Sequence, residues 1–424
     1  MILSNISVPL LGAVDTAILG HLPTAEYLSG VAIGAAVISM LLWAFGFLRM
    51  GTTGLVARNA DGGEEWLLRA LLLAIALGLL LVPLAWPLLG HAVEWMNASA
   101  EAGPHAEAYL KIRLLSAPLA LANFALLGFF IGRQDSRAPL YLLLAANLLN
   151  IALDVLFIIG MGLGARGAAL ATVCADIVAF ALGIRLLRRI APGMPGALLE
   201  KIRLPGLLPW QDSRPWAELL RINSDLFLRT LLLLFTFAFF TAQGAAQGDD
   251  VLAANAILVQ LLMMTSYALD GFAHATEALV GNAIFHRSRA QFRATVRSAG
   301  GWALGTAVAI TVFFSVSEPL LLPLFTDLDS VLAEATRTYA WLCALPLIAV
   351  WCYQLDGVFI GAGKSRQMRD TMFIATALVF LPAWWLTQQW GNHGVWFSLF
   401  LWFSARSIGL ILYFYYYTWK NQWI

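Results

Sequence analysis

Three short stretches of this chain carry carboxylates where apolar neighbours make them costly. Asp15 stands in the run Val8-Pro-Leu-Leu-Gly-Ala-Val-Asp15-Thr-Ala-Ile-Leu-Gly20. Asp154 follows Asn150 by one helical turn in Asn147-Leu-Leu-Asn150-Ile-Ala-Leu-Asp154, so amide and carboxylate share a helix face. Thr172 and Asp176 have the same spacing in Gly167-Ala-Ala-Leu-Ala-Thr172-Val-Cys-Ala-Asp176. A carboxylate at the centre of a bilayer costs about 2.5–3.5 kcal/mol on insertion scales, and such residues mark ion pathways or proton relays. Two carboxylates close together in low dielectric cannot both ionise easily, so a shared proton suits them. The same oxygens, with the Asn carbonyl and the Thr hydroxyl, also suit a hard monovalent cation such as Na⁺. Asp15, Asn150, Asp154 and Thr172 are therefore the candidate coupling site for H⁺ or Na⁺, and Asp176 is a secondary candidate.

The elements that must position these groups are membrane spans. Of 424 residues, 60% are hydrophobic and 12% charged, and the mean hydropathy is +0.76. A soluble domain is about a quarter charged. Apolar stretches of the ~20 residues needed to cross a bilayer predict twelve spans: 1–22, 29–50, 66–90, 109–132, 138–160, 165–187, 217–242, 251–280, 294–318, 338–361, 370–390 and 394–417. The fold class is thus an all-α polytopic membrane protein. The first run lacks a basic leader and a cleavage pattern, so it reads as a span rather than a signal peptide. The Pro- and Arg-rich interval between spans 6 and 7 reads as a cytosolic linker, which divides the chain into 1–190, 191–215 and 216–424. Alternate loops hold the arginines and lysines (Arg133 and Arg137, Arg188 and Arg189, Arg287 and Arg289, Lys364 and Arg366), and the others are acidic. The basic loops, and with them both termini, are expected in the cytoplasm.

The two halves repeat. Ala117-Pro118-Leu119 and Gly128-Phe-Phe-Ile-Gly132 before Ser136-Arg137 recur as Leu345-Pro346-Leu347 and Gly357-Val-Phe-Ile-Gly361 before Ser365-Arg366. Gly167 matches Gly394, and Gly46-Phe47 matches Gly271-Phe272 more weakly. Matching spans lie six apart and cross in the same direction. This predicts two six-helix lobes related by a pseudo-two-fold axis along the membrane normal, an arrangement found in transporters. Counted from the outer span ends at 1.5 Å per residue, Asp15, Asp154 and Thr172 all lie ~10 Å below the outer edge. The repeat places Phe239 opposite Asp15 and Pro382 opposite Asp154, so the second half lacks the cluster. An architectural requirement would more naturally recur in both halves.

Arg49, Asp270, His274, Glu277 and Asp356 lie toward the inner ends of spans 2, 8 and 10. They read as a cytoplasmic-side polar network whose functional version is an inner gate. Asp225, with Arg221 and Arg229 one turn to either side, reads as a helix-surface ion pair. Gly357 to Ser365 resembles a phosphate loop but has Val358 where its first glycine belongs, and it ends an apolar helix rather than a strand. Neither the six His nor the three Cys show metal-ligand spacing. No nucleophile motif appears, which argues against an enzyme, and the net charge of +1 argues against nucleic acid. Asn97-Ala98-Ser99 fits a glycosylation sequon, a match common by chance.

Taken together, Pro9-Leu-Leu-Gly12-Ala-Val-Asp15-Thr-Ala-Ile-Leu-Gly20-His21, Phe47-Leu-Arg49-Met-Gly-Thr-Thr-Gly54, Asn150-Ile-Ala-Leu-Asp154-Val, Gly167-Ala-Ala-Leu-Ala-Thr172, Tyr267-Ala-Leu-Asp270-Gly-Phe and Leu355-Asp356-Gly-Val-Phe-Ile-Gly361 resemble the multidrug and toxic compound extrusion (MATE) family, in its DinF branch. The resemblance covers essentially the whole chain. It implies the MATE fold, with a V-shaped cavity between two lobes, and cation-coupled antiport of amphipathic, often cationic compounds from a bacterial inner membrane. It implies no cofactor beyond the coupling ion and a monomer as the working unit. The N-lobe site of the family matches Asp15, Asn150, Asp154 and Thr172, and protonation there is expected to bend helix 1 near Pro9 and Gly12. Relatives carry residues upstream of this chain's Met1, including a proline that helps that bend. The second cation site of the NorM-type branch uses an acidic residue on span 7 that has no match here. A flippase for a lipid-linked precursor would share the architecture. It would need a strongly basic cavity for a pyrophosphate headgroup, whereas the cluster here is acidic.

Overall fold

The computed structural model describes residues 25–96, 98–190 and 212–424, and among them the regular structure is helical throughout. The chain divides into two compact units between Leu220 and Arg221. The first contains α1 (Ala25–Trp43), α2 (Phe47–Arg58), α3 (Gly63–Ala85), α4 (Leu89–Trp95), α5 (Ala102–Leu115), α6 (Ala117–Gly132), α7 (Arg137–Asp154) and α8 (Gly164–Ile190). The division falls within α9 (Ser213–Ala245). The second unit continues with α10 (Asp249–Phe285), α11 (Arg289–Leu321), α12 (Asp329–Gly361), α13 (Ser365–Phe373), α14 (Leu381–Leu386) and α15 (Asn392–Trp419). Among the described residues, nine helices are long and apolar enough to cross a membrane, or ten if the bent pair α5 and α6 is one span. The stretch read from sequence as span 11 is helical but divided, with a π turn at Ile374–Phe380 ahead of Pro382. Proline has no N–H to return to the preceding turn, so the ladder must adjust there.

The helices bury small and branched side chains inward and leave apolar ones outward. In the first unit Val31, Ile38, Leu110, Leu114, Ala117, Ile158 and Ala169 form one cluster. Leu80 and Leu84 of α3, and Val316 and Leu320 of α11, are exposed, as expected of faces that meet lipid. Polar groups in such helices must be satisfied internally. Thr52 donates to the Leu48 carbonyl at 2.7 Å, Thr53 to Arg49 at 2.9 Å and Thr236 to Leu232 at 2.8 Å, each one turn back.

The duplication seen in the sequence is a repeated helix contact. In the first unit Gly128 and Gly132 of α6 lie against α2. A Cβ on Gly128 would run into the Arg49 carbonyl oxygen, and one on Gly132 would lie 2.9 Å from the Thr53 oxygen. In the second unit Gly357 and Gly361 of α12 lie against α10. A Cβ there would meet the Ala273 carbonyl oxygen and, at 2.5 Å, that of Glu277. The Gly-x-x-x-Gly pair lets two backbones touch in each half.

The halves differ at the matched prolines. Pro118 sits in the first turn of α6, where α5 and α6 meet at a bend of 54°. Pro346 lies inside α12, which runs from Asp329 to Gly361 without a break.

Candidate functional site

Asn150 and Asp154 are brought together as their spacing predicts. Both sit on α7 and are buried, at 1% and 0% exposure. Asn150 Nδ2 donates to Asp154 Oδ2 at 2.7 Å. Asn150 Oδ1 is also buried and has no hydrogen-bond partner among the described residues. A buried amide oxygen without a donor is costly, and here it lies beside a carboxylate. The Asp154 carboxylate could take up a proton, and both side chains carry oxygens of the kind that ligate a hard monovalent cation. Asp154 closes the α-helical part of its span, and a π turn, Val155–Gly160, follows directly. The matched span of the second unit also contains a π turn, Ile374–Phe380, so this irregularity is shared by both halves.

Thr172 lies on α8, which packs along α7; a Cβ on Gly167 at the start of α8 would lie 3.1 Å from the Phe157 carbonyl. Its hydroxyl donates to the Ala168 carbonyl at 3.0 Å, which leaves the oxygen lone pairs as acceptors. Asp176 belongs to a different set of bonds. It accepts from Arg113 Nη1 of α5 at 2.7 Å, forming an ion pair. Asp15, Pro9 and Gly12 lie outside the described residues.

In the second unit the positions matched to Asp15 and Asp154 lie among aromatic residues. Phe239, opposite Asp15 in the duplication, packs edge-on against Trp384 at 4.9 Å between ring centres and against Phe380 at 5.7 Å. Those two residues flank Pro382, the counterpart of Asp154. An aromatic cluster thus fills the matched place in the second half.

Of the inner candidates, Arg49 lies in the first unit and the other four in the second, on α10 and α12, which pack against each other. Asp356 is buried inside the second unit, bonded to Arg229 of α9 and, at 3.1 Å, to Arg406 of α15. The Arg406 guanidinium also stacks 4.7 Å from the Trp402 ring centre. Neither arginine was singled out as a partner of Asp356 in the sequence; their distance along the chain hides the triad. Asp270, His274 and Glu277 lie on α10 and Arg49 on α2; none of the four lacks an interaction partner. Of these Glu277 is fully buried, and its main-chain carbonyl is the one that approaches Gly361.

Asp225 corrects an expectation. It is not a surface residue paired within its own helix. It is buried, and it accepts from Arg369 Nη1 at 2.6 Å and from Ser365 Oγ at 2.9 Å, both on α13. Arg229, its expected partner, points to Asp356 instead. Inside lipid, helix rotation turns such groups toward other helices, and cross-helix pairs win over pairs along one helix.

A buried polar network near the start of α15 also escaped the sequence. Asn255 and Asn392 exchange two amide bonds at 2.9 and 3.0 Å, and Trp396 Nε1 donates to Asn255 Oδ1 at 2.8 Å. Only the burial of two lone asparagines in apolar runs could have flagged it.

Known proteins match both this architecture and the sequence. DNA damage-inducible protein F of Escherichia coli is 39% identical over 431 residues, covering 100% of this chain and 90% of its own. The probable multidrug resistance protein NorM of Photorhabdus laumondii is 23% identical, over 97% of this chain and 92% of its own. A crystal structure of MATE in the bent conformation superimposes with a TM-score of 0.84 at 19% identity, covering 99% of this chain and 93% of that one. The sequence pattern of the MatE family matches residues 1–156 and again 226–385, once in each half of the duplication. With the repeated glycine contact and the long apolar helices, these matches establish the chain as a multi-pass membrane protein that belongs to the MatE family.

Proposed function

We propose that this protein is a secondary active efflux transporter. It exchanges H⁺ or Na⁺ for amphipathic, often cationic organic compounds across a bacterial inner membrane, as twelve spans in two lobes with both termini in the cytoplasm. The observation that carries the reading is the buried Asn150–Asp154 pair with its orphan amide oxygen, set against aromatic residues at the matched place in the second unit. The names of the relatives NorM and the multidrug export protein MepA of Staphylococcus aureus support the substrate class.

In this mechanism Asp15, Asn150, Asp154 and Thr172 take up the coupling ion from outside. Binding neutralises Asp154 and changes which groups its oxygens accept from. Helix 1 then bends near Pro9 and Gly12, the cavity contracts and the substrate leaves outward. The ion is released inside after the lobes rearrange. An ion can drive this only by binding the two states with different affinity.

The test uses proteoliposomes loaded with a fluorescent cationic dye, under an imposed pH gradient and, separately, a Na⁺ gradient. The gradient that drives flux in the wild type identifies the ion. Asp154→Asn and Asp15→Asn are expected to abolish driven flux. Asp154→Asn keeps an oxygen for Asn150 Nδ2 to bond, so it should remain folded. Driven flux at the wild-type rate in either variant would refute the coupling role.

A further inference from the structure

Asp176 is bonded to both sides of the bend between α5 and α6. From the α5 side, Arg113 Nη1 donates to its carboxylate at 2.7 Å. From the α6 side, Asn123 Nδ2 donates to its main-chain carbonyl at 3.0 Å. Arg113 is tied to the bend itself. It donates to Ser116 Oγ at 3.1 Å, and that hydroxyl donates back to the Arg113 carbonyl at 2.8 Å. Arg113 and Ser116 are buried, and the Asp176 side chain is 23% exposed. The outer flank is closed by α3, where a Cβ on Gly78 would run into Pro118.

The second unit is a control within the same molecule. The residues matched to Arg113, Ser116 and Asp176 are Trp341, Ala344 and Phe403, which cannot form this brace. There the matched proline sits in an unbroken helix. The bend and the brace occur together in one half and are absent together from the other.

Asp176 lies one turn from Thr172 on the same face of α8. Whatever fixes Asp176 also fixes the depth and rotation of Thr172. We propose that the Arg113–Asp176 ion pair locks the bend in the broken span and so positions Thr172 for the coupling site, and that Asp176 does not itself carry the coupled ion. This rests on the coupling role of Asn150, Asp154 and Thr172 proposed above.

Removing Asp176 alone leaves the buried Arg113 guanidinium without its ion-pair partner and threatens folding. The informative variant is therefore the neutral double, Arg113→Gln with Asp176→Asn. Hydrogen exchange of the purified full-length protein reads the bend without any transport. Amides of residues 113–120 should exchange about tenfold faster in the double variant, while the matched residues 341–348 stay unchanged. In proteoliposomes the double variant should keep its maximal driven flux. The ion concentration giving half-maximal flux should shift about threefold or more, a separation of binding from turnover. Wild-type exchange at 113–120, or an unshifted ion dependence, would overturn the proposal. So would a double variant as inactive as Asp154→Asn, because the carboxylate would then be needed for its own charge. If the wild type itself shows no ion-driven flux, the coupling reading fails, and the exchange experiment still decides whether the brace exists.

Discussion

Replacing Gly357 by alanine puts a methyl group where α12 touches α10 backbone to backbone. The new Cβ would run into the Ala273 carbonyl oxygen and lie 3.0 Å from the carbonyl carbon and the Cα of the same residue. These are main-chain atoms of a long helix, so they cannot swing aside as a side chain could. Overpacking of this kind costs about 1–3 kcal/mol. The intrinsic gain in helix propensity from Gly to Ala, about 0.8–1 kcal/mol, offsets part of that. Gly128→Ala should behave alike, since its Cβ would meet the Arg49 carbonyl in the first unit. Gly301→Ala on α11 is the opposite case: nothing lies within 4 Å of its would-be Cβ, so only the propensity gain remains. For units of about 200 residues, each kcal/mol moves the unfolding midpoint by roughly 2–4 °C. Thermal unfolding in detergent, followed by loss of the monodisperse peak, should show Gly357→Ala and Gly128→Ala falling by a few degrees and Gly301→Ala unchanged or slightly higher. Gly357→Ala and Gly128→Ala as stable as wild type would refute the close contact and the structural repeat read from it.

Asp356→Ala strands two buried guanidiniums and should cost about 3–5 kcal/mol, measured by the same unfolding assay. Arg369→Ala leaves the buried Asp225 carboxylate with the Ser365 hydroxyl but no cation, so it should also lower the midpoint, and Asp225→Asn on the same background should restore part of the loss. Asn255→Leu leaves the Trp396 indole N–H without its buried acceptor and Asn392 Oδ1 without its donor, while Asn392 Nδ2 keeps Glu334 as an acceptor. It should destabilise by about 1–3 kcal/mol. Phe239→Ala should lower stability through lost ring contacts and leave the ion dependence of dye flux untouched, since the coupling site is assigned to the first unit only.

The glycine repeat, the long apolar helices and the Asn150–Asp154 pair were legible because each depends on local spacing. Residues one turn apart share a face in any α-helix, whatever packs around it. The Arg229–Asp356–Arg406 triad was not legible, because its members come from three helices far apart in the chain. Asp225 shows the limit most plainly. Two arginines flank it at helical spacing, yet it bonds to Arg369, 144 residues away. Asp176 was legible as a costly carboxylate, but its role depended on what faced it, and that was Arg113 rather than Asp154.

By itself the sequence determined that the chain spans a membrane many times, that its halves are duplicated, and that one half carries acidic groups the other lacks. These follow from hydropathy, period and residue identity, which act over a few turns. Only the tertiary structure decided which charges meet and which of two matched prolines bends its helix. Those outcomes depend on how each helix is rotated against its neighbours. Inside lipid, where unpaired polar groups are expensive, that rotation is set by distant partners rather than by adjacent residues.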